Sequence, residues 1–114
     1  MNERESTEIR RRLADMRAAL HAARADAAGS RAPVELDQTS VGRLSRIDAM
    51  QAQSMALATE RRRAIEQARI DQALARLAAG TYGICVECDE PIEPRRLTLD
   101  PAIAVCLACA RDHA

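Results

Sequence analysis

Four cysteines, Cys85, Cys88, Cys106 and Cys109, are the only thiols of this 114-residue chain, and they form two C-x-x-C pairs with 17 residues between Cys88 and Cys106. Two intervening residues let the backbone turn tightly, so that both sulfurs face one cation while backbone N–H groups point at the sulfurs. Two such turns supply the four corners of a tetrahedron. The pattern is that of a four-thiolate zinc site, one Zn²⁺ per chain, and with no ligand position left for water the metal is expected to be structural and not hydrolytic. A redox dithiol would explain one pair and leave the other idle.

Other candidate chemistry is sparse. The two histidines are His21, on what reads as a helix surface, and His113, near the C-terminus in a stretch that reads as unordered. Neither has an evident catalytic partner, and the expectation is that the protein is not an enzyme. The run Arg61-Arg62-Arg63 points in three directions around a helix, with Glu60 and Glu66 within a turn to pair with it, and reads as a solvated face.

The elements that must carry the cysteines are helical. The sequence has no Trp, no Phe and one Tyr, and its apolar fraction is mostly Ala, the strongest helix former but a poor filler of large cores. Ile9, Leu13, Met16, Leu20, Ala23 and Ala27 alternate steps of four and three, a heptad seam that predicts a helix over about 4–28, ending at Gly29-Ser30. A connector with Pro33 follows, and Asp37 has the chemistry of an N-cap. Residues 38–79 contain no Pro and a single glycine, Gly42, and predict one long helix. Its seam is expected along Val41, Leu44, Ile47, Met55, Ala58 and Ile65, drifting to Ile70, Leu74 and Leu77, which are expected to pack on the metal module instead of the first helix.

Two seamed helices joined by a short connector form an antiparallel hairpin. The first helix, being shorter, is expected to cover only the part of the second nearest the connector. The fold class is therefore mainly α: a two-helix coiled-coil hairpin over residues 1–80, with a small C-terminal C4 zinc finger over 81–114. Such a small finger cannot fold on its own apolar burial, so the metal should supply much of its stability.

Charge is balanced overall, and every basic residue is Arg, but residues 80–114 carry three Arg against six acids. Four thiolates around one Zn²⁺ add about two more negative charges there. Such a module is a poor match for phosphate backbones, which argues against direct DNA or RNA binding. The N-terminus lacks an apolar h-region and no apolar run approaches bilayer length, so a cytoplasmic, membrane-free protein is expected.

The run Tyr82-Gly83-Ile84-Cys85-Val86-Glu87-Cys88, then Ile92, Arg95-Arg96-Leu97, Pro101 and Cys106-Leu107-Ala108-Cys109, resembles the C4 zinc finger of the DksA/TraR family of bacterial transcription factors. The resemblance is specific over residues 81–109 and consistent with the preceding hairpin, and the chain is similar to the short, hairpin-first members. It implies a coiled-coil hairpin projecting from a zinc-containing base, with RNA polymerase as partner, the hairpin entering the secondary channel and acidic tip residues acting there. The corresponding tip segment here is Glu35-Leu36-Asp37-Gln38-Thr39, followed by Arg43, Arg46 and Asp48, so the resemblance assigns Glu35, Asp37, Arg43 and Asp48 to partner binding.

Position 89, usually Gly in the family, is Asp, which tolerates a left-handed backbone better than most residues. Arg69 matches a position that contacts the alarmone ppGpp in responsive members, whereas Asp100 and Ala110 stand where other basic residues are found, which implies weak or no ppGpp binding. The residues alone also allow a zinc-stapled hairpin that pairs with a different protein or with itself.

Overall fold

A computed structural model describes residues 1–30 and 43–113 of the chain. Two long helices dominate it, α1 (Glu3–Ser30) and α2 (Arg43–Ala79), followed by two single-turn-scale helices, α3 (Pro94–Leu99) and α4 (Leu107–Asp112). The molecule is elongated, 64 × 31 × 19 Å. Among the described residues there is no strand, only an isolated antiparallel bridge between Ile84 and Pro91. Among them, too, no helix is long and apolar enough to cross a membrane.

The start of α1 is fixed locally: Asn2 Oδ1 accepts from Glu5 N at 2.8 Å while Glu5 reaches back to Asn2 N, a reciprocal cap. Helix α1 spans Glu3–Ser30 where about 4–28 is expected, and α2 ends at Ala79 as expected. The connector with Pro33, the proposed N-cap Asp37 and the expected first residues of the second helix, 38–42, lie outside the described residues.

The cross-helix partners define an antiparallel pair. Arg24 on α1 donates to Glu60 and Gln67 of α2, while Arg17 pairs with Asp71 at 2.8 Å, so numbers rise on one helix as they fall on the other. Lower still, Leu13 is fully buried in a cluster with Ile70, Ala73, Leu77, Tyr82 and Ala102, against which Ile9, Met16 and Leu20 pack. The heptad seam of α1 is therefore the face that is buried.

Two expectations about α2 are corrected. Helix α1 does not stop short of the base: its first half lies against the last turns of α2, and Ile70 and Leu77 pack on both α1 and the residues that follow α2. The reason is length, since 28 residues extend about 42 Å at 1.5 Å per residue. The assigned α2 seam is not the inward one either, because Met55 is 72% and Ile65 63% exposed, and Ile47 is exposed with them. Midway along the pair the inward positions are polar, Glu60 and Gln67 meeting Arg24. The side chain of Leu44 and residue Val41 lie outside what is described.

Candidate metal centre

Gly80, with φ of 79°, stops α2 in the left-handed conformation, and its N–H donates to Leu77 O at 3.3 Å while Thr81 N donates to Arg76 O at 2.9 Å. Tyr82 then turns into the junction, its hydroxyl donating to Pro101 O at 2.8 Å. This bond ties the start of the cysteine-bearing segment to the stretch that leads into the second pair.

The first knuckle is held by its backbone. Cys85 N donates to Glu90 O and Ile92 N to Gly83 O, both at 2.8 Å, and Asp89 N closes the turn onto Cys85 O at 3.0 Å. Asp89 has φ of 61°, so a non-glycine residue does occupy the left-handed position there. The second knuckle is a helix start: Cys106 is the N-cap of α4, its sulfur accepting from Cys109 N at 3.5 Å. Helix α3, begun by Pro94 at a position that needs no N–H, supports this start. Glu93 Oε2 accepts from Leu107 N at 3.2 Å, and Arg96 Nη2 donates to Val105 O at 3.2 Å. Val86 N donates across to Ala104 O at 3.0 Å, joining the knuckles directly.

The four sulfurs of Cys85, Cys88, Cys106 and Cys109 lie within 4.8 Å of one another. The Cys88 and Cys106 sulfurs are 3.7 Å apart, close to the ~3.8 Å edge of a tetrahedron with metal–sulfur bonds of about 2.3 Å. Cys85 and Cys106 are buried and Cys88 is exposed, with Ile92, Leu97, Ile103 and Val105 packed around them. All four are free thiols. Their acidities diverge. The Cys106 N–H, with further backbone donors, draws Cys85 down to about 6 against the cost of burial. Hydrogen bonding to Cys106, burial and the other sulfurs push Cys109 up. The Cys85 thiolate thus forms readily while the Cys109 thiol resists ionising, so the cluster gains its full charge only around a cation. Four soft sulfurs this close together fit Zn²⁺, which lends them a structural cross-link.

The family model of the prokaryotic DksA/TraR C4-type zinc finger matches residues 80–113. The structure of transcription factor DksA2 from Pseudomonas aeruginosa is similar over 98% of this chain and 84% of that one, with 31% identity and a TM-score of 0.76. The chain belongs to the DksA/TraR family. The fold is shared more widely: the structure of the RNA polymerase binding protein and transcriptional regulator Dks from Chlamydia trachomatis matches over 99% of this chain and 91% of that one, at 17% identity and a TM-score of 0.60. No curated protein sequence matches the chain. Within the DksA/TraR finger, zinc is the cofactor and the four-cysteine cluster is the place for it.

Of the other predicted site residues, Glu35 and Asp37 lie outside the described residues. Arg43 opens α2, and Asp48 is exposed on its first turns. Four residues carry more than the sequence suggested. Glu60 pairs across the hairpin with Arg24, and Glu66 pairs with Arg69. His113 is ordered against the first knuckle, its Nε2 2.6 Å from Glu87 Oε2. Tyr82 anchors the junction, and the one available signal was its standing as the sole aromatic residue.

Proposed function

We propose that the protein is a transcription regulator of the DksA/TraR type that binds RNA polymerase through its secondary channel with the hairpin tip. The observation that carries this reading is the end-to-end similarity to transcription factor DksA2 of Pseudomonas aeruginosa, which spans hairpin and finger together. On this reading the chain works as two parts, residues 1–80 as the projecting hairpin and 81–114 as the zinc-bearing base. Glu35, Asp37, Arg43 and Asp48 make the tip surface that meets the polymerase. No catalysis is assigned to the chain itself, and its place of action is the bacterial cytoplasm.

The polar contacts midway along the hairpin support a projecting role, because Arg24 with Glu60 and Gln67 fixes helix register without needing a wide apolar core. The acids gathered around the finger support a protein surface, not a phosphate backbone, as its contact. Binding of the zinc-loaded chain to purified core RNA polymerase, measured by biolayer interferometry, tests the reading. We expect saturable binding that Asp37→Ala weakens about tenfold or more. No binding by the folded wild-type chain would overturn it.

A second reading, a zinc-stapled hairpin that pairs with another protein or with itself, draws support from Leu57 and Ile65, which stand exposed on α2. Sedimentation equilibrium separates the self-pairing form: a dimer that Ile65→Ser dissolves would favour it over the monomeric polymerase regulator.

A further inference from the structure

Helix α2 carries a second seam. Away from the positions that meet α1 lie Ile47, Met50, Ser54, Leu57, Arg61 and Ala64, in alternating steps of three and four residues. That is the spacing of a coiled-coil interface, laid along a side of the helix that α1 does not touch. Every one of these residues is exposed, Ile47 at 51%, Met50 at 69% and Leu57 at 46% among them. Ile65, also exposed, flanks the strip, whereas the equally exposed Met55 lies off it.

Charge and size along the strip select its occupant. Within residues 47–64 the flanking positions are Gln51, Gln53, Ala58 and Glu60, and Glu60 already pairs with Arg24. A strongly charged partner helix would find little there to answer it, whereas a second copy of the same strip finds a match. Parallel pairing is opposed, because it brings Arg61 against Arg61 at the centre of the seam. Antiparallel pairing with position 54 level with position 57 of the other copy sets Ile47 against Ala64 and Ser54 against Leu57, a large side chain facing a small one each time. It sets Met50 against Arg61, whose methylene stem can lie over the thioether while its head stays in water. The two-fold axis makes each layer twice. A slip of one heptad one way brings Glu60 level with Glu60, and the other way brings Ile47 against Leu57 and shortens the overlap, so charge and size together fix one register.

We propose that the exposed seam of α2 is a docking surface for a second copy of this chain, joined antiparallel over residues 47–64 of each. The proposal rests on the self-pairing reading and gives it a surface, a direction and a register. The overlap is about five helical turns, less than a stable dimer interface of standard size needs, so the pairing is weak and reversible, with a dissociation constant of about 10–100 µM.

The test uses the full zinc-loaded chain. Sedimentation equilibrium should show a monomer and dimer in exchange, and Leu57→Glu should weaken the dimer about tenfold or more. Met55→Glu places the same charge at an exposed apolar position off the seam and should leave the dimer as it is. Both positions are exposed, so neither variant disturbs the monomer fold. In a mixture of labelled and unlabelled chains, isotope-filtered NMR should connect the Ile47 methyls of one copy with the Ala64 methyl of the other. A chain that stays monomeric at millimolar concentration would sink the self-pairing reading and this proposal together. A dimer that Met55→Glu dissolves and Leu57→Glu does not, or one in which Ile47 meets Ile47, would keep self-pairing and overturn this seam.

Discussion

Arg69 Nη2 lies 2.6 Å from Asp100 Oδ2, joining α2 to the residue that ends α3. Glu66 holds the same guanidinium from the other side at 2.5 Å, and Asp100 uses its second oxygen to accept from Ala102 N at 3.1 Å. Burial alone would lower the pKa of Arg69; the hydrogen bonds to the two carboxylates outweigh it and raise the value. Arg69, the arginine that the family resemblance would assign to alarmone contact, is thus already neutralised within the chain. Calorimetric titration of the zinc-loaded protein with ppGpp should show no saturation in the low-micromolar range. Asp100→Ala, which releases one side of Arg69, should bind more tightly than wild type, and the reverse order would refute this account.

Metal content and its removal should read together. Purified protein is expected to hold one zinc per chain, and chelation by EDTA with heating should abolish the dispersed NMR signals of Tyr82 through Cys109 while much helical signal survives. The loss should spread to the lower hairpin, because Tyr82 and Ala102 share a core with Leu13 and Ile70. A metal-free chain with an unchanged thermal midpoint would contradict the structural role of the site.

Leu13 is 0% exposed and Ile65 63% exposed. Leu13→Ala should cost about 2–5 kcal/mol in urea unfolding, since it empties the cluster where α1, α2 and the finger meet. Ile65→Ala should stay within about 0.5 kcal/mol. A larger loss at Ile65 than at Leu13 would mean that α2 faces α1 the other way.

The His113–Glu87 contact carries a pH signature. Hydrogen bonding to Glu87, and then that carboxylate's charge, raise the pKa of His113 above its ordinary value. A raised folded value means that protonation favours the docked arrangement. Its contribution is complete below the ordinary pKa of about 6.5 and is lost as pH rises through the higher folded value. The end of α4 should therefore loosen from about pH 6.5 upward, an effect confined to that exposed corner. Ring-proton NMR should show Glu87→Gln lowering the His113 pKa, and a value that does not fall would sink the idea.

The four cysteines and the α1 seam were legible because their information is local, carried by spacings of three and four residues. The α2 seam was not, because periodicity of apolar residues cannot see a polar interface: Glu60 and Gln67 face Arg24, whereas Met55 and Ile65 are exposed. The same blindness hid the partner of Glu60, Arg24 on the facing helix, whereas Glu66 pairs with Arg69 one turn along α2 itself. His113 read as a loose end because its partner Glu87 is 26 residues away. Asp89 was readable, since φ of 61° is the backbone demand that the turn after a C-x-x-C pair makes.

Tyr82 is the single aromatic side chain of the chain, with no Trp or Phe beside it, and it is buried where both long helices meet the finger. Its ultraviolet absorbance and emission therefore belong to one place. Any event that parts the hairpin from its base, whether loss of metal, strain from a bound partner or thermal opening, can be followed optically at that residue in the unlabelled protein, with no background from other fluorophores.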